Sequence, residues 1–170
     1  MDTNALALPF NLRPMVLNDA PAVAQIEAES YDDAWPLEEF VGWFDYPKGL
    51  TAVCVDDTAG GTVTGFVLYE RHFKRLHVAD VAVAKLYRRR GIAQALLQHV
   101  ANDALSRLCT RVTLEVRKSN ASAIACYEQL GYVHKKVIPN YYEDGEDAIF
   151  MQLRLKKPST GGRPVQRKSE

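Results

Sequence analysis

Apolar and polar residues alternate in several short runs, and this period of two predicts β-strands. Between residues 56 and 62 two such runs are separated by a Gly-Gly-containing turn, which favours a hairpin. The predicted strands cover residues 10–17, 50–56, 62–72, 75–85, 111–117, 132–138 and 147–155. Seven strands are therefore expected.

Helical spacing of apolar residues predicts four helices between these strands. The first places Val23, Ile26 and Ala28 among its apolar positions. The second begins at Pro36, and its apolar positions are Leu37, Phe40, Val41 and Phe44.

A third helix is predicted from Gln94 to about Arg107, and a fourth is capped by Ser119 or Asn120 and ends at Gly131. The order βααβββαβαββ describes an α/β (mixed α+β) domain, a mixed sheet with helices on its faces. Periodicity alone does not fix how the strands pair. We expect an N-terminal extension at residues 1–10, one domain at residues 11–155 and a disordered basic tail at residues 156–170.

The composition excludes several classes of protein. No apolar run approaches the roughly 20 residues that span a bilayer, and the N-terminus lacks the basic region of a signal peptide. We therefore expect a cytoplasmic protein. Its three cysteines, Cys54, Cys109 and Cys126, lie in apolar surroundings and are expected to be buried reduced thiols.

The net charge of the chain is zero but unevenly distributed. Five basic residues and one acidic residue give the last 15 residues a charge of +4, which leaves −4 on residues 1–155. The acidic body argues against a nucleic-acid surface and favours attraction of cationic substrates.

The segment from Val81 to Ala93 is an apolar strand that leads into a basic turn and then a helix. The first N–H groups of a helix lack intrahelical partners and lie at its positive end, where anions bind. Gly91 lets a phosphate approach the backbone, and Arg88, Arg89 and Arg90 add positive charge. The turn therefore indicates a site for a phosphate-bearing cofactor.

The pattern Arg88-x-x-Gly91-x-Ala93 resembles the Gln/Arg-x-x-Gly-x-Gly/Ala motif of the GNAT family of acetyl-CoA-dependent N-acetyltransferases. Residues 114–132 and the run Asn140-Tyr141-Tyr142 are similar to the ribosomal-protein alanine N-acetyltransferases (RimI-type) of that family. The resemblance covers roughly residues 11–155. It implies the GNAT fold, a central, mostly antiparallel sheet of about seven strands flanked by four helices.

The resemblance also implies acetyl-CoA as co-substrate. The β-strand from Val81 through Ala82 to Val83 would offer backbone groups to the pantetheine arm, and Asn120 would hydrogen-bond the cofactor. The pyrophosphate would lie on the turn formed by Arg88, Arg89, Arg90, Gly91, Ile92, Ala93 and Gln94. Direct transfer to an amine needs no metal, and we expect neither a metal nor a covalent enzyme intermediate.

Two side chains are candidates for catalysis. Alternation along residues 111–117 places Glu115 opposite the apolar face, where it could simply pair with Arg117 or another cation. Tyr127 could simply anchor its helix on the sheet. The resemblance instead assigns Glu115 as general base and Tyr127 as general acid.

The sequence gives weaker evidence for the residues that would bind the acceptor substrate. By resemblance, Trp35 and Tyr141 lie where related enzymes hold a peptide between two loops, although the chain reads Trp35-Pro36 where RimI-type enzymes commonly have Pro-Trp. The two tyrosines could equally be a hydrophobic plug. Acidic residues nearby could attract a basic peptide or be merely solvated.

The resulting hypothesis is acetyl transfer to the N-terminal α-amine of a protein, foremost the N-terminal alanine of a small-subunit ribosomal protein. One alternative keeps the donor but takes a lysine side chain, a polyamine or an aminoglycoside as acceptor. Another is a non-catalytic module that binds coenzyme A or serves as a partner subunit. The sequence leaves the oligomeric state open.

Overall fold

A computed structural model describes residues 10–156, so the expected disorder of the tail lies almost entirely outside the described residues. The predicted order of strands and helices is confirmed. The strands are β1 (Phe10–Arg13), β2 (Gly49–Asp56), β3 (Thr62–His72), β4 (Arg75–Val83), β5 (Arg111–Arg117), β6 (Val133–Ile138) and β7 (Ala148–Arg154). The helices are α1 (Ala20–Ser30), α2 (Leu37–Gly42), α3 (Ile92–Ser106) and α4 (Ala121–Gln129).

The seven strands form one sheet in the order β1-β2-β3-β4-β5-β7-β6. Every neighbouring pair is antiparallel except β4 and β5. These two parallel strands pair over three residues only, from Arg75–Arg111 to His77–Thr113. Beyond that point they separate, and the gap between them forms a cleft in the sheet.

Helices cover both faces of the sheet. On one face Leu96, Leu97 and Val100 of α3 pack against buried residues of the central strands. On the other face Val23 of α1 and Phe40 of α2 pack against alternate residues of β2 and β3. Neighbouring residues of one strand thus enter opposite cores, as expected for a sheet buried on both sides.

One glycine sets how closely α3 approaches the sheet. Gly65 of β3 lies beneath the first turn of α3, and a Cβ atom there would stand 3.0 Å from both the Ala82 carbonyl oxygen and Ile92 Cγ2. The missing side chain lets Ile92 sit directly on the strand.

Several local expectations were wrong. The first strand ends at Arg13 rather than residue 17, because Pro14 has no N–H to continue the ladder. Helix α3 begins at Ile92, two residues before Gln94, because Gly91 caps it in a left-handed conformation (φ 81°).

On α1, Ala28 is exposed and Glu27 is buried in its place. Residue 27 follows Val23 by four positions and therefore lies on the same helix face.

On α2, Phe40 is fully buried, but its other predicted apolar residues are more than a third exposed. The helix has only six residues, so it presents little more than one side chain to the core.

None of the helices in residues 10–156 is long and apolar enough to cross a membrane. The three cysteines are free thiols; Cys54 and Cys109 are buried, and Cys126 is partly buried.

Candidate active site

The gap between β4 and β5 opens into a cleft of about 1160 Å³. Two entrance loops border it: the α1–α2 loop (residues 31–36) and the β6–β7 loop (residues 139–147). Six of the predicted site residues line this cleft, namely Trp35, Val81, Glu115, Asn120, Tyr127 and Tyr141. The basic turn continues from the end of β4, so the strand connects the cleft to the turn.

The start of α3 has the geometry expected of an anion site. The first helical hydrogen bond runs from the Ala95 N–H to the Gly91 carbonyl (3.0 Å), so the N–H groups of Ile92, Ala93 and Gln94 precede the hydrogen-bonded ladder. A Cβ atom on Gly91 would have no neighbour closer than Gln94 Oε1 at 3.9 Å. A phosphate can therefore reach the backbone, and these residues fit a pyrophosphate.

The arginines of the turn are exposed, and two of them hold the turn in place. Arg88 donates from Nε to the Val83 carbonyl (3.0 Å) and from Nη2 to Ser30 Oγ (3.1 Å) at the end of α1. Arg90 donates to the Leu86 carbonyl (3.1 Å). Their charge thus stays beside the start of α3.

The strand that leads to this turn has one free edge. From Val78 onward, β4 pairs with β3 alone among the described strands, so its other edge faces the cleft. The Tyr31 hydroxyl, which the sequence did not indicate as a site residue, donates to the Val81 carbonyl (2.8 Å). One lone pair of that carbonyl is therefore already engaged.

Glu115 pairs with a histidine inside the cleft. Its Oε2 lies 3.0 Å from Nε2 of His77, and both side chains are only 16–17% exposed. His77 Nδ1 lies 2.9 Å from Thr113 Oγ1. In the tautomer that carries its proton on Nε2, the Nε2–H donates to Glu115 and Nδ1 accepts from the Thr113 hydroxyl.

Of the partners named for the simple ion pair, Arg117 is excluded, because it contacts Asp33, Asp144 and Glu146, and Glu115 pairs with His77 instead. The sequence did not indicate His77 as a site residue. Its position in the strand register beside Thr113 brings it to Glu115, and the sequence does not give that register.

Tyr127 has the anchoring role that its helix position suggests, and it also reaches the cleft. Its ring is buried in the core, with its centroid 5.9 Å from that of Tyr132. Burial raises the pKa of Tyr127 well above its usual value, so the hydroxyl remains protonated at neutral pH.

Asn120 caps the helix that carries Tyr127. Its side-chain oxygen accepts a hydrogen bond from the Ala123 N–H (3.1 Å). A hydrogen bond donated to a cofactor would come from the side-chain NH₂ group, and the oxygen keeps a second lone pair that could accept from a cofactor N–H.

Arg117 connects the two entrance loops. It contacts Asp33 of the α1–α2 loop (2.6 Å) and Asp144 and Glu146 of the β6–β7 loop (2.8 and 2.9 Å). Its guanidinium also lies 3.9 Å from the centroid of the Tyr142 ring. Three of the acidic residues near the cleft therefore share one internal cation, which offsets only part of their negative charge.

The predicted acceptor residues differ in exposure. Trp35 is partly buried, and its ring centroid lies 6.1 Å from those of Phe40 and Trp43. Tyr141 is 48% exposed, whereas Tyr142 packs under Arg117. Tyr142 therefore fills the base of the loop, and Tyr141 is accessible to a ligand.

No cluster of three or more His, Cys, Asp or Glu side chains placed to hold a metal occurs within residues 10–156.

Comparisons with known proteins agree with this geometry. The model of the acetyltransferase (GNAT) family matches residues 20–132. The chain is 36% identical to an uncharacterized N-acetyltransferase of Methanocaldococcus jannaschii, over 89% of this chain and 94% of the relative. It is 33% identical to the [ribosomal protein bS18]-alanine N-acetyltransferase of Salmonella typhimurium, over 81% and 92% of the two chains.

The crystal structure of the ribosomal-protein-S18-alanine N-acetyltransferase from Escherichia coli superposes with a TM-score of 0.78. It is 29% identical in sequence, and the match covers 91% of this chain and 99% of the other. The predicted GNAT fold is confirmed. With its open parallel strand pair, glycine-capped α3 and matching relatives, the chain belongs to the acetyltransferase (GNAT) family.

Proposed function

We propose that this protein transfers an acetyl group from acetyl-CoA to the N-terminal α-amine of a protein, foremost the N-terminal alanine of a small-subunit ribosomal protein. The observation that carries the proposal is the pairing of Glu115 with His77 inside the cleft. The relative from Salmonella typhimurium, whose name states this acceptor, supports the choice of substrate.

Glu115 is the proposed base. A protonated amine has no lone pair, so a carboxylate must remove its proton before acetyl transfer. The Nε2–H of His77 holds one oxygen of Glu115 and leaves the other for the amine. At pH 7, deprotonation costs about 1.4 kcal/mol for an α-amine of pKa about 8 but about 4.6 kcal/mol for a lysine of pKa about 10.4. A single carboxylate therefore suits a chain terminus better.

The donor half uses groups already placed by the fold. The N–H groups of Ile92, Ala93 and Gln94 would hold the pyrophosphate, and the free edge of β4 would hold the pantetheine arm. Acetyl-CoA supplies the activated acetyl group. Tyr127 keeps its proton at neutral pH and would give it to the departing sulfur.

The entrance loops form the acceptor half. Arg117 holds them together, and Tyr141 of the β6–β7 loop lines the cleft with nearly half of its surface exposed. A peptide terminus entering there would pass Tyr141 and Trp35 before it reached Glu115.

The identity of the acceptor amine can be tested with an assay that measures the thiol of coenzyme A released from acetyl-CoA. We expect turnover with a peptide that begins with alanine, and little with the same peptide when its α-amine is blocked and only a lysine is free. Equal rates on the blocked peptide or on a polyamine would contradict an α-amine acceptor.

The base is tested by Glu115→Gln. We expect a loss of about 10²-fold or more at pH 7. The loss should shrink about tenfold at pH 9, since the neutral fraction of an α-amine rises from about a tenth to about nine tenths. Glu143→Gln, at an exposed glutamate of the same cleft, should leave the rate unchanged. Equal losses at both pH values would show that Glu115 only positions the substrate.

A further inference from the structure

Two carboxyl groups that lie in the cleft, the buried Glu27 and the partly buried Asp80, have no part in the chemistry proposed above. Glu27 of α1 is 2% exposed, and Asp80 of β4 immediately precedes Val81. Both line the same cleft, and each carboxyl group shifts the pKa of the other, so the two are neighbours. Glu27 Oε2 and Asp80 Oδ2 are shielded from solvent and have no hydrogen-bond donor among residues 10–156.

This arrangement requires a proton. An ionised carboxylate only accepts hydrogen bonds, so two ionised carboxylates cannot bond each other and would repel. With one proton between them, one carboxyl group donates to the other. Such a bond would supply the hydrogen-bond partner that the shielded oxygens otherwise lack.

The surroundings place that proton on Asp80. Burial raises the pKa of Asp80 well above its usual value and the neighbouring Glu27 raises it further, whereas a hydrogen bond from the Val81 N–H opposes the rise only in part. Burial also raises the pKa of Glu27, but the Trp35 N–H, which donates to Glu27 Oε1 at 3.2 Å, opposes that rise. Glu27 is therefore the partner that keeps the negative charge.

The other groups that act on the pair do not supply positive charge. Asp33 in the α1–α2 loop adds a negative field to both members. The Tyr31 and Tyr127 hydroxyls also act on the pair, and burial keeps both protonated at neutral pH. His77 of β4 and Glu115 and Arg117 of β5 line the same cleft, where Glu115 pairs with His77 and Arg117 with Asp33.

We propose that Asp80 and Glu27 share one proton and act as a positioning pair, which holds the α1–α2 loop, through the Trp35 N–H, against the strand that borders the donor half. The proposal deepens the proposed function, on which its kinetic readout rests. Asp80 donates to Glu27, and Glu27 in turn accepts from Trp35. The chain of hydrogen bonds thus runs from β4 to the acceptor entrance.

The pair has a pH-dependent consequence. When the shared proton is lost, two buried negative charges face each other, and the contact with the loop weakens. The KM for peptide should then rise at high pH, while the KM for acetyl-CoA, which binds at α3, should not.

Two substitutions at Asp80 separate positioning from mere packing. Asp80→Asn supplies an amide N–H that donates to Glu27 without titrating, so it should keep the peptide KM of the wild type at pH 7 and abolish the rise at high pH. Asp80→Leu removes the donor and should raise the peptide KM about tenfold, as expected for one lost hydrogen bond to a charged group. A wild-type peptide KM in Asp80→Leu, or an unchanged high-pH rise in Asp80→Asn, would overturn the positioning role.

Thermal melting tests the shared proton without any turnover. A carboxyl group whose pKa is raised on folding stabilises the protein below its unfolded pKa of about 4, and that stability is lost as the pH rises through the folded pKa. The Tm of Asp80→Asn minus that of the wild type should therefore grow between pH 5 and pH 9. Asp57→Asn, at an exposed residue of the β2–β3 turn, serves as the matched control and should show no such growth.

A constant Tm difference for Asp80→Asn would refute the shared proton. If no peptide is acetylated by any variant, the proposed function fails, and the melting curves still decide whether the two carboxyl groups share a proton.

Discussion

Replacing Gly65 with alanine should both destabilise the protein and weaken its binding of acetyl-CoA. The added Cβ would stand 3.0 Å from the Ala82 carbonyl oxygen and from Ile92 Cγ2, and 3.3 Å from Leu96 Cδ1. The carbonyl belongs to β4 and cannot retreat without disturbing the sheet. The strain must therefore push α3, of which Ile92 is the first residue, away from the strand.

The expected magnitude follows from two opposing effects. Overpacking of a buried site lowers the free energy of unfolding by about 1–3 kcal/mol. Replacing a glycine reduces the conformational entropy of the unfolded chain, which raises the free energy of unfolding by about 0.4–1 kcal/mol. The net loss should be about 1–2 kcal/mol, and at about 2–4 °C per kcal/mol for a domain of this size the Tm should fall by about 2–8 °C. Displacement of Ile92 should also raise the KM for acetyl-CoA more than the KM for peptide.

Differential scanning calorimetry and initial rates measure both effects. Gly42→Ala is the matched control, because a Cβ atom there has nothing within 4 Å and the residue lies at the end of α2. It should be neutral or stabilising by up to about 1 kcal/mol. If Gly65→Ala melted at or above the wild-type temperature, the added Cβ would not strain the contact between α3 and β3. If its KM for acetyl-CoA were unchanged, that contact would not govern the donor site.

Three further substitutions test individual groups. Tyr127→Phe should lower kcat while leaving the melting temperature nearly unchanged, since it removes only the hydroxyl; a wild-type kcat at every pH would exclude Tyr127 as the acid. Tyr141→Ala should raise the KM for peptide and leave acetyl-CoA affinity untouched, because the side chain is exposed at the acceptor entrance; calorimetric titration with acetyl-CoA provides the second measurement. Gly91→Ala should weaken acetyl-CoA binding, because a left-handed conformation (φ 81°) costs a residue with a Cβ about 1–2 kcal/mol; unchanged affinity would place the pyrophosphate elsewhere.

Local patterns predicted the elements of this fold because each depends on neighbours in the sequence. The alternation over residues 111–117 gave the bounds of β5 as the structure has them. The end of β1 was misplaced because the apolar run continues past Pro14, although the backbone cannot continue the strand.

The chemistry of the cleft was only partly predictable. The pairing of β4 with β5 spans a crossover that contains α3, and no local signal fixes where two such distant strands meet. The contact between His77 and Glu115 therefore could not be predicted from the sequence. Glu27 is a different case. Its position four residues after Val23 places a charged group on the apolar face of α1, and this spacing is visible in the sequence.

The short joint between β4 and β5 also divides the sheet mechanically. Strands β1 to β4 come from one continuous stretch of chain and β5 to β7 from another, and only three residue pairs connect these two blocks within the sheet. The catalytic candidates lie on both sides: His77 belongs to the first block, whereas Glu115 belongs to the second. A small rotation about the joint would therefore change the width of the cleft without breaking either block. A ligand that contacts both blocks would restrict their relative rotation. The motion about this joint should therefore decrease as the two substrates bind.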